Sequence, residues 1–183
     1  MGFPDELEQV AAAAESFAAP DERVTGILAT EPPQYGRIYL CAYESASGHS
    51  WLALDAAAQP VKSRAAVREA VQLAALCEVA EESVGGGDLP ALRERLRELR
   101  ETDAPEGIDE AEEAARLLAD AIEKGPRLAT ADYLDRLGVA SRRLERALGD
   151  SGGSPFAAFM QQAAGAVEEL TADVERTYKG PLA

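Results

Sequence analysis

The chain has 183 residues, enough for one domain with a full core, and its 33 acidic against 18 basic side chains leave a formal net charge of -15. Such a field opposes the approach of phosphate backbones and anionic lipid surfaces, so no nucleic-acid partner and no membrane partner is expected. A lone histidine excludes zinc sites built on several histidines, the Glu-x-x-His pairs of di-iron bundles and the H-E-x-x-H signature.

Met1 to Val10 carries Asp5, Glu6 and Glu8 where a secretory signal needs basic residues. No stretch of about 18 apolar residues is free of charge, so no spanning helix is expected and a cytoplasmic location is the reading. The two cysteines, Cys41 and Cys77, sit among apolar neighbours and read as reduced core thiols.

Leu7, Val10, Ala11, Ala14 and Phe17 recur at helical spacing behind Pro4, which predicts a short docking helix closed by Pro20. From Arg23 the period becomes that of strands. Val24 to Thr30 is followed by the turn Pro32-Pro33-Gln34-Tyr35-Gly36, and then by Arg37 to Glu44. In this second strand Ile38, Leu40 and Ala42 share one face, and Tyr39, Cys41 and Tyr43 the other. After a hairpin connection over Ser45 to His49, Trp51, Ala53 and Asp55 alternate with Leu52 and Leu54. A three-stranded antiparallel meander is predicted.

So small a sheet needs a helix across one face. Ser63 to Val84, apolar over most of its circumference, supplies it, with Ile38/Leu40 and Leu52/Leu54 as the expected contacts. Gly85-Gly86-Gly87-Asp88 ends that helix and sets the expected boundary between an α+β part, residues 1–84, and a helical part, residues 88–183, packed as one globular unit.

Helical hairpins are predicted beyond it. Leu92, Leu96 and Leu99 form one stripe, and Ile108, Ala111, Ala115, Leu118 and Ile122 the next, stopped by Gly125-Pro126. Thr130 caps a helix carrying Leu134, Leu137, Leu144 and Leu148, which Gly149 ends. Ser154 and Pro155 open the last helix, whose stripe runs Phe156, Met160, Ala163, Val167, Leu170 and Val174. That four-and-three spacing is a coiled-coil-like seam, which packs within the chain or meets a partner or a second copy.

No catalytic set assembles. There is no G-x-S-x-G elbow, no G-x-G-x-x-G after a strand, and the glycine run lacks the phosphate-loop pattern. His49 reads as an exposed turn residue. Glu78 shares a helix face with Glu81 and Glu82, where carboxylates can hold Mg²⁺ against substrate phosphates, and Asp109 and Glu112 form a second pair on another helix. This set resembles the E-x-x-E then E-x-x-D pattern of the all-α nucleotide pyrophosphohydrolase family. The resemblance implies Mg²⁺ held by Glu78, Glu81, Asp109 and Glu112, and hydrolysis of a nucleoside triphosphate. The second pair here reads Asp-x-x-Glu, a whole helix (Leu89 to Glu101) intervenes, and a β-meander precedes it. The residues by themselves read as ordinary charges, paired with arginine or solvated, with no cofactor.

With Ile38, Leu40, Leu52 and Leu54 on the helix side, Tyr39, Tyr43 and Trp51 look the other way, and either the terminal helices or a partner covers them. The expected architecture is α+β, a three-stranded antiparallel meander on a central helix followed by helical hairpins. The expected function is a non-enzymatic protein interaction or assembly module, meeting a protein partner or its own copy through Tyr39, Tyr43 and Trp51 or through the Phe156, Met160, Val167 seam. The Mg-dependent pyrophosphohydrolase is the alternative.

Overall fold

Turn chemistry and strand alternation set the register of the sheet. In the computed structural model, which describes residues 2–85, 89–104, 106–123, 128–147 and 155–183, α1 (Phe3–Ser16) is followed by β1 (Arg23–Glu31), β2 (Ile38–Ser45) and β3 (Gly48–Asp55). Then come α2 (Arg64–Gly85), α3 (Leu89–Asp103), α4 (Ile108–Glu123), β4 (Leu128–Thr130), α5 (Ala131–Ala147) and α6 (Pro155–Arg176). The class is α+β, as expected. Of the expected break Gly85-Gly86-Gly87-Asp88, Gly85 is the last residue of α2, while the other three, Gly125-Pro126, Gly149 and the cap at Ser154 lie outside the described residues.

Among the described residues the sheet has four strands in the order β3-β2-β1-β4, with β4 parallel to β1 through Ala29↔Leu128, Thr30↔Ala129 and Glu31↔Thr130. The three-stranded antiparallel meander is therefore corrected to a mixed sheet. A three-residue strand carries no alternation to read, and its partner lies far upstream, so local pattern places Thr130 only as a helix cap. Between β1 and β2, Gly36 takes φ +69, a left-handed conformation that suits a residue without Cβ.

The register of the β2–β3 hairpin sets both faces. Ser45 pairs with Gly48, so only Ala46 and Ser47 form the turn, and the ladder runs Cys41↔Leu52, Leu40↔Ala53 and Tyr39↔Leu54. Residues directly opposite one another share a face. Tyr39, Cys41, Tyr43, Leu52 and Leu54 accordingly pack with Val10 and Ala14 of α1. Ile38, Leu40 and Ala53 pack with Ala66, Val67, Ala70 and Val71 of α2 and with Val174 of α6. The expected contacts of α2 with Ile38 and Leu40 are present, whereas its expected contacts with Leu52 and Leu54 are corrected to Ala53 and Trp51. The actual turn is shorter than the Ser45 to His49 connection, and a one-residue change of register moves every side chain of a strand to the other face.

Chain contacts divide the protein into two units, the first comprising Met1–Ala75, Arg127–Ala131 and Gly165–Ala183, the second Leu76–Pro126 and Asp132–Ala164. In the first, helices lie on both faces of the sheet. Glu6 of α1 accepts a hydrogen bond from the Tyr39 hydroxyl at 2.5 Å and one from Arg37 Nη1 at 3.2 Å, and Ala14 O accepts one from the Tyr43 hydroxyl at 2.8 Å. On the opposite face, Glu175 of α6 takes Arg64 and Arg68 of α2, and Gln72 donates to Glu168 at 3.2 Å. Ser63 caps α2, its Oγ 3.2 Å from the Ala66 amide.

The outer edge of β3 would expose unpaired backbone, a template for unwanted strand pairing. The C-terminal segment covers it. Lys179 N donates to Trp51 O at 2.7 Å, and Trp51 N donates to Thr177 O at 3.2 Å. The Tyr178 hydroxyl donates to Val61 O at 2.6 Å and accepts the Ala53 amide at 3.1 Å, and Ala183 exchanges bonds with Lys62 and Arg64. In the second unit, Leu96, Ile108, Ala111, Ala114, Ala115, Leu137 and Ala140 are buried, and α3 and α4 pack against each other.

Replacing Tyr178 by Phe keeps the ring but removes the partner of two backbone groups. Chemical denaturation should show a loss of about 1–3 kcal/mol with an unchanged denaturant slope. An unchanged midpoint would mean that water takes over both bonds.

Candidate functional site

The carboxylates come first, because they carried the only enzymatic expectation. Asp109 and Glu112 lie one turn apart near the start of α4, and both close on Arg100 of α3. Glu112 takes the Arg100 Nε at 2.7 Å and Nη2 at 2.8 Å, and Asp109 takes the same Nη2. Glu81 accepts the Tyr133 hydroxyl, and Glu78 stands exposed. Among the described residues no three His, Cys, Asp or Glu side chains gather into a group able to hold a metal ion. Two of the four acids expected from the resemblance thus hold a guanidinium where a cation would sit, and Glu81 holds a phenol.

The aromatic residues do not share a face. Tyr39 and Tyr43 have no exposed surface beneath α1, while Trp51 packs half-buried on the α2 side with Tyr178. The single aromatic face expected from the sequence is corrected to two, for the reason of register given above. Burial pushes the Tyr39 phenol up to about 12, with the Glu6 carboxylate that accepts its hydrogen bond adding to the shift. Phe3 stacks on Tyr39 with 6.4 Å between ring centres, the Arg37 guanidinium lies 5.2 Å from the Phe3 ring, and Lys179 Nζ stands 4.3 Å from the Tyr43 ring. The terminal segments of the chain itself cover these rings.

Of the α6 seam, Val167 and Val174 are buried with Thr171, Met160 is half-buried, Leu170 is exposed, and the Phe156 side chain lies outside the described residues. Val174 joins the α2 core, so this end of the seam packs within the chain. His49 is not in a turn: it is the second residue of β3, exposed, with its Nε2 2.7 Å from Asp173 Oδ2. That contact holds the Asp173 carboxyl below its ordinary value, burial opposing and Arg176 assisting. Both cysteines are free and buried, and burial pushes the Cys41 thiol up to about 12.

An apolar concave feature lies on α4 and α5. A cavity of about 310 Å³ is lined by Ala114 and Leu117 of α4 and by Tyr133, Leu137, Val139 and Ala140 of α5, with Asp135, Arg136 and Arg143 around it. Its polar and apolar parts have separate origins in the sequence. Leu137 and Ala140 belong to the inward stripe of α5, whereas Val139 and Leu117 stand off the inward stripes of their helices and are 40% and 44% exposed. Both are large apolar side chains facing solvent in one depression. Neither belongs to the inward stripes read from the sequence, yet their phase is legible there, since an apolar residue out of phase with its helix has no core to enter.

At its margin Arg136 pairs with Asp132 one turn back at 3.1 Å, and Tyr133 is bonded to Glu81. The depression offers an apolar surface with two guanidinium groups and the Asp135 carboxylate around it. No protein-family model, curated protein or solved structure matches the chain.

Two outcomes follow from these contacts. Thermal melting with millimolar Mg²⁺ or Mn²⁺ should leave the midpoint where it is without metal, in wild type and in Glu78→Gln alike; a rise that disappears in Glu78→Gln would restore the metal-dependent enzyme. Native-state labelling with a small thiol reagent should be slow at Cys41 and reach completion only after unfolding, and rapid reaction would revive a reactive-thiol role.

Proposed function

We propose that the chain is a non-enzymatic interaction or assembly module whose contact surface is the apolar depression on α4 and α5. The observation that supports this most directly is the pair Leu117 and Val139, exposed together in a single concavity that small residues, Ala114 and Ala140, deepen. Scattered apolar residues on a surface need no partner, but two in one hollow beside guanidinium groups have the composition of a contact site, with an apolar centre and an arginine rim. The other exposed large apolar residues, Phe17, Leu28, Tyr35 and Leu170, do not line this cavity. The aromatic residues first considered for this role are engaged by α1 and by the C-terminal segment, which shifts the reading to the second unit.

A photo-crosslinking amino acid placed at Leu117 should give one discrete crosslinked species in the cells that make this protein. The same group at Glu98, an exposed position on α3, should give none. Equal and diffuse products from both positions would sink the reading.

A further inference from the structure

The hollow on α4 and α5 carries a charge pattern that narrows its occupant to one kind. Arg136 and Arg143 are seven residues apart on α5, hence two turns apart on nearly the same side of the helix, about 10 Å along its axis. They bracket Val139, and the Asp135 carboxylate beside Arg136 leaves the two guanidinium groups a net positive rim. On α4, Glu113 and Asp120 are also seven residues apart, on nearly the same side, and they bracket Leu117. Within the chain these two acids share Arg116, at 3.2 Å from Asp120 and closely from Glu113 at 2.6 Å, and all three remain about half exposed. One helix therefore presents an exposed leucine between two acids, and the other an exposed valine between two bases, with the same spacing.

We propose that the hollow is occupied by a second copy of this chain, α4 of one protomer lying along α5 of the other in a two-fold symmetric homodimer. This rests on the proposed function of the same surface and names its partner. A two-fold contact uses one patch on both copies, so a surface carrying both halves of a complementary pattern satisfies itself twice. Glu113 and Asp120 of each protomer face Arg136 and Arg143 of the other, and Leu117 and Val139 of both meet at the centre. Complementary charges also overcome the repulsion that two chains of net charge -15 exert on each other. Within the protomer the two acids hold Arg116, and Arg136 holds Asp132, all at the surface.

The test is sedimentation velocity on the purified full chain over a concentration series, with circular dichroism to verify that each variant is folded. Wild type should move from one to two chain masses as concentration rises, and the dimer should weaken as salt screens the exposed pairs. The double reversals R136E/R143E and E113R/D120R should each remain monomeric, since like charges then oppose in both symmetric contacts. Mixed in equal amounts they should recover the two-chain species, because each reversed helix now meets its complement. Val139→Glu, at an exposed position that leaves the core intact, should also abolish the dimer. A wild type that is monomeric throughout, a dimer indifferent to the reversals, or a mixture that stays monomeric would each overturn the proposal. The two readings fail separately: a discrete crosslink from Leu117 to a chain of different mass would overturn the homodimer and leave the contact surface standing with another occupant.

Discussion

The two-residue turn at Ala46 and Ser47 is the constraint on which the first unit depends. It makes odd-numbered residues of β2 stand opposite even-numbered residues of β3, so Tyr39, Cys41, Tyr43, Leu52 and Leu54 fall on one side and Ile38, Leu40, Trp51 and Ala53 on the other. Both sides are then rich enough in apolar surface to require cover, and β2 is buried along most of its length. A longer turn with the opposite parity would have placed Leu52 and Leu54 beside Ile38 and Leu40. The aromatic side chains would then have formed the single face that the alternation alone suggests.

Each cover is joined to the sheet by polar groups that would be costly to leave unmet. A phenol buried without a partner costs on the order of 1–3 kcal/mol, and both Tyr39 and Tyr43 find theirs on α1, a carboxylate in one case and a backbone carbonyl in the other. The same helix supplies Val10 and Ala14 to the core, so apolar burial and hydrogen bonding select one docking position. At the far edge, Tyr178 performs the equivalent service for Ala53 and Val61 while its neighbours Thr177 and Lys179 satisfy the backbone of Trp51. A short bulge in β1, where Thr25 is the extra residue between the Val24 and Gly26 pairings, bends the opposite side of the sheet before β4 takes over.

Acidic excess explains much of what the second unit does with its side chains. With 33 acids and 18 bases, carboxylates are in excess, and Arg97, Arg100 and Arg116 each hold two. Carboxylates at i, i+3 or i, i+4 spacing are then more easily occupied by a guanidinium than gathered around a metal. Asp109 and Glu112 illustrate this, since the spacing that resembles a metal-binding pair is equally suited to a bidentate grip on Arg100. The bases left with one partner or none among the described residues are informative for the same reason, and Arg136 and Arg143 are two of them.

Local pattern by itself determined the class, the order of the elements from α1 to α2, the inward stripes of α4 and α5, and the burial of both thiols, because each depends on periodicity or on apolar neighbours within a few residues. It could not determine β4, whose three residues acquire meaning only beside β1, nor the face of each β3 side chain, which depends on a turn one or two residues long. Convergence was the other blind point. Spacing places Glu78 with Glu81 and Asp109 with Glu112, but whether the four carboxylates meet one another, or three of them meet Arg100 and Tyr133, is a matter of which helices lie side by side. Tertiary structure alone decided that, as it decided that Leu117 and Val139, out of phase on two separate helices, open into the same hollow.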